Sequence, residues 1–150
     1  MDQNAPLNPL PIVVWVLALP MIALEIVLSA GANGLVGGPL AIGWRAEAMQ
    51  TLAFAPDYLR QMVVLGQYPA DGLWRPFTHV FINPDVTGTL FSVAILLALG
   101  KFTGEVFRWW AVLVVFFAAS AVGALAYAAF PWTHAALVGG WPANYGLIGA

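Results

Sequence analysis

The chain has 150 residues, 61% of them hydrophobic and only 8% charged, with a formal net charge of −2. Soluble domains carry about 25% charged residues, so an independent water-facing domain is excluded and the solvent for most of the chain must be lipid or other membrane helices. The absence of any basic run excludes nucleic acid as a partner, and the absence of Cys excludes disulfides, thiolate catalysis and Cys-ligated metal.

Residues 1–11 (MDQNAPLNPLP) read as a polar, Pro-rich tail without a helix signal. The tail carries no Lys or Arg, so the apolar run that follows is a retained span rather than a cleaved signal. Ile12–Ala32 has the roughly 20-residue length that crosses the hydrocarbon core. Its Pro20 should kink it, and its one acid, Glu25, is a candidate intramembrane polar site, because charge at that depth is costly and is usually paired. The alternative for Glu25 is a carboxylate snorkelling to the nearer interface.

Residues 33–77 form an extended connection. Stretches 41–55 and 56–65 are candidate interfacial helices, with Leu59, Met62, Val63 and Gly66 on one face of the second. Gln67 to Gly72 reads as a turn. A second span is predicted near 86–102, starting as early as Thr78, and a third near 106–130. Small residues four apart, Gly88 with Ser92, Ala119 with Gly123, and Gly100 with Gly104, are candidate helix-packing positions. A fourth apolar segment opens near Pro142, a residue suited to a first helical turn. About nine residues of it are present, too few to span, which predicts a chain continuing past residue 150, the alternative being a re-entrant stub. The fold class expected is therefore an all-α polytopic membrane protein, with three complete transmembrane helices and the start of a fourth. Lys101 and Arg108 sit in the second link, while the third link has neither type, so the positive-inside rule places the N-terminus in the cytoplasm and 33–77 outside. Arg45, Arg60 and Arg75 in that long connection pull the other way.

Several single residues carry specific expectations. Trp109, Trp110 and Trp132 read as interfacial anchors. Arg75 is expected to fix the loop to the bundle, pairing with Asp71 or a lipid phosphate. Asn144 is a candidate polar residue bonding across helices. His79 and His134 both lie in connecting segments, which argues against a two-His haem site. No metal cluster, phosphate loop or paired carboxylates appear, so no metal and no cofactor is expected.

Three strings resemble rhomboid intramembrane serine proteases. The long loop ends in Trp74-Arg75, followed by Pro76-Phe77-Thr78-His79, similar to that family's Trp-Arg pair and aromatic-Thr-His run. The second span ends in Gly100-Lys101-Phe102-Thr103-Gly104-Glu105, similar to the family's Glu-terminated helix end. Gly139 to Ala150 resembles the start of the family's fourth span, where Gly-x-Ser-Gly precedes an aromatic and Gly-Leu-x-Gly. The resemblance implies a rhomboid-like bundle over residues 1–150, as the N-terminal part of a longer domain in a bacterial inner membrane. It gives Trp74, Arg75, His79 and Glu105 structural, loop-anchoring roles, and Gly146 and Gly149 packing roles. Aligned on Tyr145-Gly146, the family's nucleophile falls on Trp141 and the following Gly on Pro142. The oxyanion positions fall near Asn83, Gly88 and Ser92, and the His-bearing later span is missing. Indole has no nucleophilic oxygen, so no catalytic residue is assigned. The function expected is a proteolytically inactive scaffold that binds other transmembrane helices, a larger membrane complex and lipid. The alternatives are an active protease with catalytic groups beyond residue 150, or an accessory subunit of an energy-transducing complex.

Overall fold

The computed structural model describes residues 9–150; most of the polar tail lies outside them. Every element is helical: α1 (Ile12–Ala32), a 3-10 helix (Gly38–Gly43), α2 (Trp44–Leu52), α3 (Pro56–Leu65), α4 (Ala70–Thr78), a 3-10 turn (His79–Phe81), α5 (Val86–Val106), α6 (Trp109–Ala129) and α7 (Trp141–Ile148). Among the described residues there is no strand, only a two-residue antiparallel bridge between Phe54 and Leu137. Helices α1, α5 and α6 are 21 residues each and apolar enough to cross a membrane. At about 1.5 Å per residue they match a hydrocarbon core of about 30 Å. The chain is an integral membrane protein.

The bundle is built by α1 against α5, α5 against α7, and α7 against α6. Its core holds Val14, Leu17 and Met21 of α1, Leu96 of α5, Val112 and Phe116 of α6, and Ala143 and Leu147 of α7. Small residues set these distances. A Cβ on Gly146 would overlap the Ala119 methyl, and one on Gly123 would lie 2.6 Å from Pro142 Cβ. The α6–α7 crossing is therefore a backbone-close contact of the kind small residues permit. Gly100 receives Val14 and Gly104 receives Pro11 in the same manner.

Two expected packing positions are corrected. Gly88 lies in the first turn of α5, where its N–H bonds the N-cap Asp85 Oδ1 at 2.7 Å, so it is a capping position. Gly149 follows the end of α7 and is exposed; the atoms nearest its Cβ position are carbonyl oxygens of its own chain, of Gly146 and Tyr145. Boundaries shift as well. The second span begins at Val86 as read from the sequence, and not at the outer limit of Thr78, because Asp85 caps it and Ile82 is extended; it runs on to Val106. The stretch read as a turn ends early: α4 starts at Ala70, and Gly72 is buried within it against Tyr58 and Met62. Helix α1 runs unbroken through Pro20.

Candidate functional site

Two polar centres lie in this otherwise apolar bundle. The first is built on Glu25. One residue of the 21 in α1 is an acid, and it faces inward, one-tenth exposed at its side chain. Its carboxylate accepts from four donors. Arg45 of α2 forks onto both oxygens through Nη1 and Nη2, Ser29 Oγ donates from the next turn of α1, and Thr89 Oγ1 of α5 donates at 2.7 Å. Arg45 also reaches Ser29 Oγ and the Asn83 carbonyl oxygen, each at 3.1 Å. The hydrogen bond that Arg45 donates to Glu25 pushes the guanidinium still higher above its ordinary value, against the opposing effect of burial. The carboxylate does not snorkel. It joins α1, α2 and α5, and its oxygens are occupied by protein donors.

The second centre lies where the α4–α5 connection, α5 and the start of α7 meet. His79, Ser92 and Asn144 are buried, as is Asn83. Gly139 is forced to a left-handed φ of +90°, and its N–H reaches the carbonyls of His79 and Ile82. Gly140 N–H donates to Ser92 Oγ at 3.2 Å, and Asn144 Nδ2 donates to the Ser92 carbonyl at 3.1 Å. A Cβ on Gly140 would lie 2.7 Å from Ser92 Oγ, so only glycine lets α7 approach this closely. Asn144 thus bonds across helices as expected. His79 Nδ1 lies 3.2 Å from the Arg75 carbonyl oxygen. A carbonyl only accepts, so Nδ1 carries the proton and Nε2 the lone pair. Burial pushes the His79 pKa down and keeps the ring neutral. Its Nε2, Asn83 Nδ2 and Asn144 Oδ1 are buried without a hydrogen-bond partner among the described residues.

These contacts decide what the centre can do chemically. The chain has three serines. Ser29 is held by Glu25 and Arg45, Ser92 accepts from Gly140, and Ser120 donates to the Pro76 carbonyl at 2.7 Å. Among the described residues none shares a hydrogen bond with a histidine, so the nucleophile–base contact that activates a serine is not formed. Trp141 opens α7 with its side chain 40% exposed. No group of three or more metal-ligating side chains occurs among the described residues.

The remaining expected residues hold the connection. Arg75 does not use the Asp71 carboxylate, which accepts from Tyr58 Oη at 2.9 Å. Instead its Nε donates to the Asp71 carbonyl and its Nη1 to the Ala53 carbonyl, both at 3.2 Å, with the guanidinium 5.2 Å from the Tyr58 ring centre. Trp74 is 44% exposed, a surface position. Glu105 is exposed near the end of α5, and among the described residues its carboxylate has no hydrogen-bond partner. His134 is exposed and sits on Asp57, whereas His79 is buried against the Arg75 carbonyl.

Sequence reading missed Arg60. It caps the open end of α6, donating to the carbonyls of Ala128, Phe130 and Thr133 and to Thr133 Oγ1. A helix C-terminus leaves four carbonyls unpaired and carries a partial negative charge, which a planar five-donor fork satisfies well. Arg60→Ala is expected to cost about 2 kcal/mol and to open the 130–140 link to protease, read as faster nicking in detergent. Asp57 bridges Arg60 at 2.6 Å and His134 at 3.0 Å. The His134 contact, and then Arg60, hold its carboxyl below the usual carboxylate range. A lowered folded-state pKa gives stability that is present above the unfolded value and lost as pH falls through the folded one. Acidification below about pH 4 should therefore loosen α3 from the α6 end, and Asp57→Asn should remove that pH dependence. Hydrogen exchange of the 130–140 amides across a pH series checks both.

Comparison of the chain with protein-family models, with curated proteins and with solved structures found no match to any of them.

Proposed function

We propose that the chain is a rhomboid-like membrane bundle without protease chemistry, acting through helix–helix contacts as a scaffold or partner-binding subunit. The rhomboid component rests on the Trp74–His79 and Gly139–Ala150 strings. The non-catalytic component rests on one observation: Ser92, the serine at the second polar centre, spends its hydroxyl on the Gly140 amide and meets no base. Trp141 at the family's nucleophile position agrees with it. The scaffold component is supported by how open the spans are. Only 39%, 33% and 28% of the apolar windows of α1, α5 and α6 are buried within the chain, leaving faces that lipid or partner helices must cover. In this reading the chain sits in a bacterial inner membrane with its N-terminus in the cytoplasm.

The test is labelling of the purified full chain with a serine-reactive fluorophosphonate, alongside incubation with a generic transmembrane substrate. The expected result is no label and no cleavage. Labelling abolished by Ser92→Ala would overturn the proposal.

A further inference from the structure

The five cations of the chain divide into two groups. Arg45, Arg60 and Arg75 are engaged by protein acceptors. Lys101 and Arg108 have no ion-pair or hydrogen-bond partner among the described residues. Both flank the α5–α6 link, at the end of the bundle where α1 begins, α5 stops and α6 starts. That end holds two cations and one acid, Glu105, whereas residues 25–85, which lead to and form the opposite end, hold five acids and three arginines. An acidic chain thus has one basic end. Lys101 lies five residues before the end of α5, about 7–8 Å, a depth from which a lysine snorkels its ammonium to the headgroup level.

A groove of about 390 Å³ opens beside these cations. Its walls are Ile12, Val13 and Val16 of α1, Gly104 of α5, and Trp109 and Leu113 of α6. Gly104 lies one turn beyond Lys101, and Trp109 directly follows Arg108. The groove exists because Gly104 has no side chain: a Cβ there would lie 2.7 Å from Pro11 Cγ, so the start of α1 settles onto α5 and leaves the space in front of α6 open. Ile12, Val16 and Trp109 are 81%, 55% and 67% exposed, so the groove faces the surroundings of the bundle rather than its core.

Shape and chemistry narrow the occupant. From Trp109 to Leu113 the groove follows α6 for four residues, about 6 Å, from the headgroup boundary into the upper acyl region. One helical turn is too short to seat a partner helix. The walls carry no polar side chain except the Trp109 indole, so water would find too few partners to stay. An apolar cleft with unengaged cations beside it is complementary to a molecule with an apolar chain and an anionic head. Basic pockets between membrane helices hold acidic lipid headgroups by this chemistry.

We propose that this end of the bundle is a binding site for an anionic glycerophospholipid, with one acyl chain in the groove against Ile12, Val16 and Leu113 and the phosphate at the level of Lys101 and Arg108. Trp109 takes the ester level between them, where an amphipathic indole is at home. Each cation contributes about fivefold to the preference for the acidic headgroup. This inference needs only membrane residence and stands apart from the rhomboid reading.

The full chain, purified in detergent and stripped of lipid, is titrated with phosphatidylglycerol or with phosphatidylcholine of the same acyl chains, and bound lipid is counted by native mass spectrometry. The first phosphatidylglycerol should bind about tenfold or more tighter than phosphatidylcholine. Lys101→Gln and Arg108→Gln should each weaken phosphatidylglycerol about fivefold and leave phosphatidylcholine unchanged. Val16→Trp fills the groove from an exposed position and should weaken both lipids. Helix content by circular dichroism confirms that each variant is folded, and Ile12→Trp replaces Val16→Trp if that variant is not. Equal affinity for the two lipids, or charge variants without effect, would overturn the headgroup assignment. Binding indifferent to the groove-filling variant would overturn the placement of the acyl chain. Millimolar glycerol phosphate should not displace the lipid; displacement would show a site for a free anion and refute the proposal.

Discussion

Arg45→Met is expected to lower the unfolding free energy by about 3–5 kcal/mol, the range found when one partner of a buried ion pair is removed. The variant leaves the Glu25 carboxylate inside the bundle with only the Ser29 and Thr89 hydroxyls. It also strips the Asn83 carbonyl of its donor. The double variant Glu25→Leu with Arg45→Met should recover most of the loss, since a packed apolar pair of similar volume needs no compensation for desolvation. Thr89→Val should cost about 1 kcal/mol, as one hydrogen bond among several. Unfolding in mixed detergent micelles, followed by tryptophan emission, measures all of these. A single variant as stable as the parent would show that the pair contributes nothing to the bundle. Failure of the double variant to recover would show that the two residues do something besides neutralise each other.

The α6–α7 crossing gives the second large effect. Gly146→Leu is expected to cost about 3 kcal/mol, since inserted carbon atoms in a packed contact force a backbone shift, and a Cβ alone would already meet the Ala119 methyl. The informative experiment is the cycle. Gly146→Ala should destabilise, and Ala119→Gly added to it should restore much of the loss, because the methyl moves from one helix to the other across the same contact. A coupling of roughly 1 kcal/mol or more between contacting sites is measurable in such a cycle. Simple additivity would mean that the two helices do not touch there. A displaced α7 would also withdraw Gly140 from Ser92 and Asn144 from the Ser92 carbonyl, so the second polar centre should loosen with it.

The spans were legible in the sequence because membrane solvation leaves a coarse and strong signal. Twenty apolar residues need no tertiary information to be read, and Ile12–Ala32 emerges with the same bounds from either source. Asn144 as a cross-helix donor and Ala119 and Gly123 as packing positions were legible for the same reason, that polar and small residues are out of place in lipid unless they meet something. The connection between Asn33 and Phe77 was less so. Its helices are short, and their ends depend on long-range partners: the α4 carbonyl at Pro76 is satisfied by Ser120 and that of Leu52 by Thr78. Arg60 was invisible because its acceptors are backbone carbonyls about 70 residues away, which no local pattern announces. Glu25 could be flagged as costly, but its partner could not be chosen among the arginines of the connection. Gly88 misled because four-residue spacing to Ser92 mimics a packing pair, whereas the residue three before it is a cap.

The placement of Arg45 has a consequence for how the chain is made. Glu25 is an acid that must enter the bilayer when α1 does, before α5 and its Thr89 have been synthesised. Its strongest partner follows only 20 residues later, after a glycine-rich hairpin, and closing a loop of that length is fast and entropically cheap. The acid can be matched by its cation while a single span has left the ribosome. Of the four donors to the carboxylate, three are encoded within the first third of the chain. Helix α5 then docks onto a site already neutralised, adding one hydroxyl. The order of residues along the polypeptide thus protects the growing chain from carrying an unpaired charge in lipid during its own synthesis.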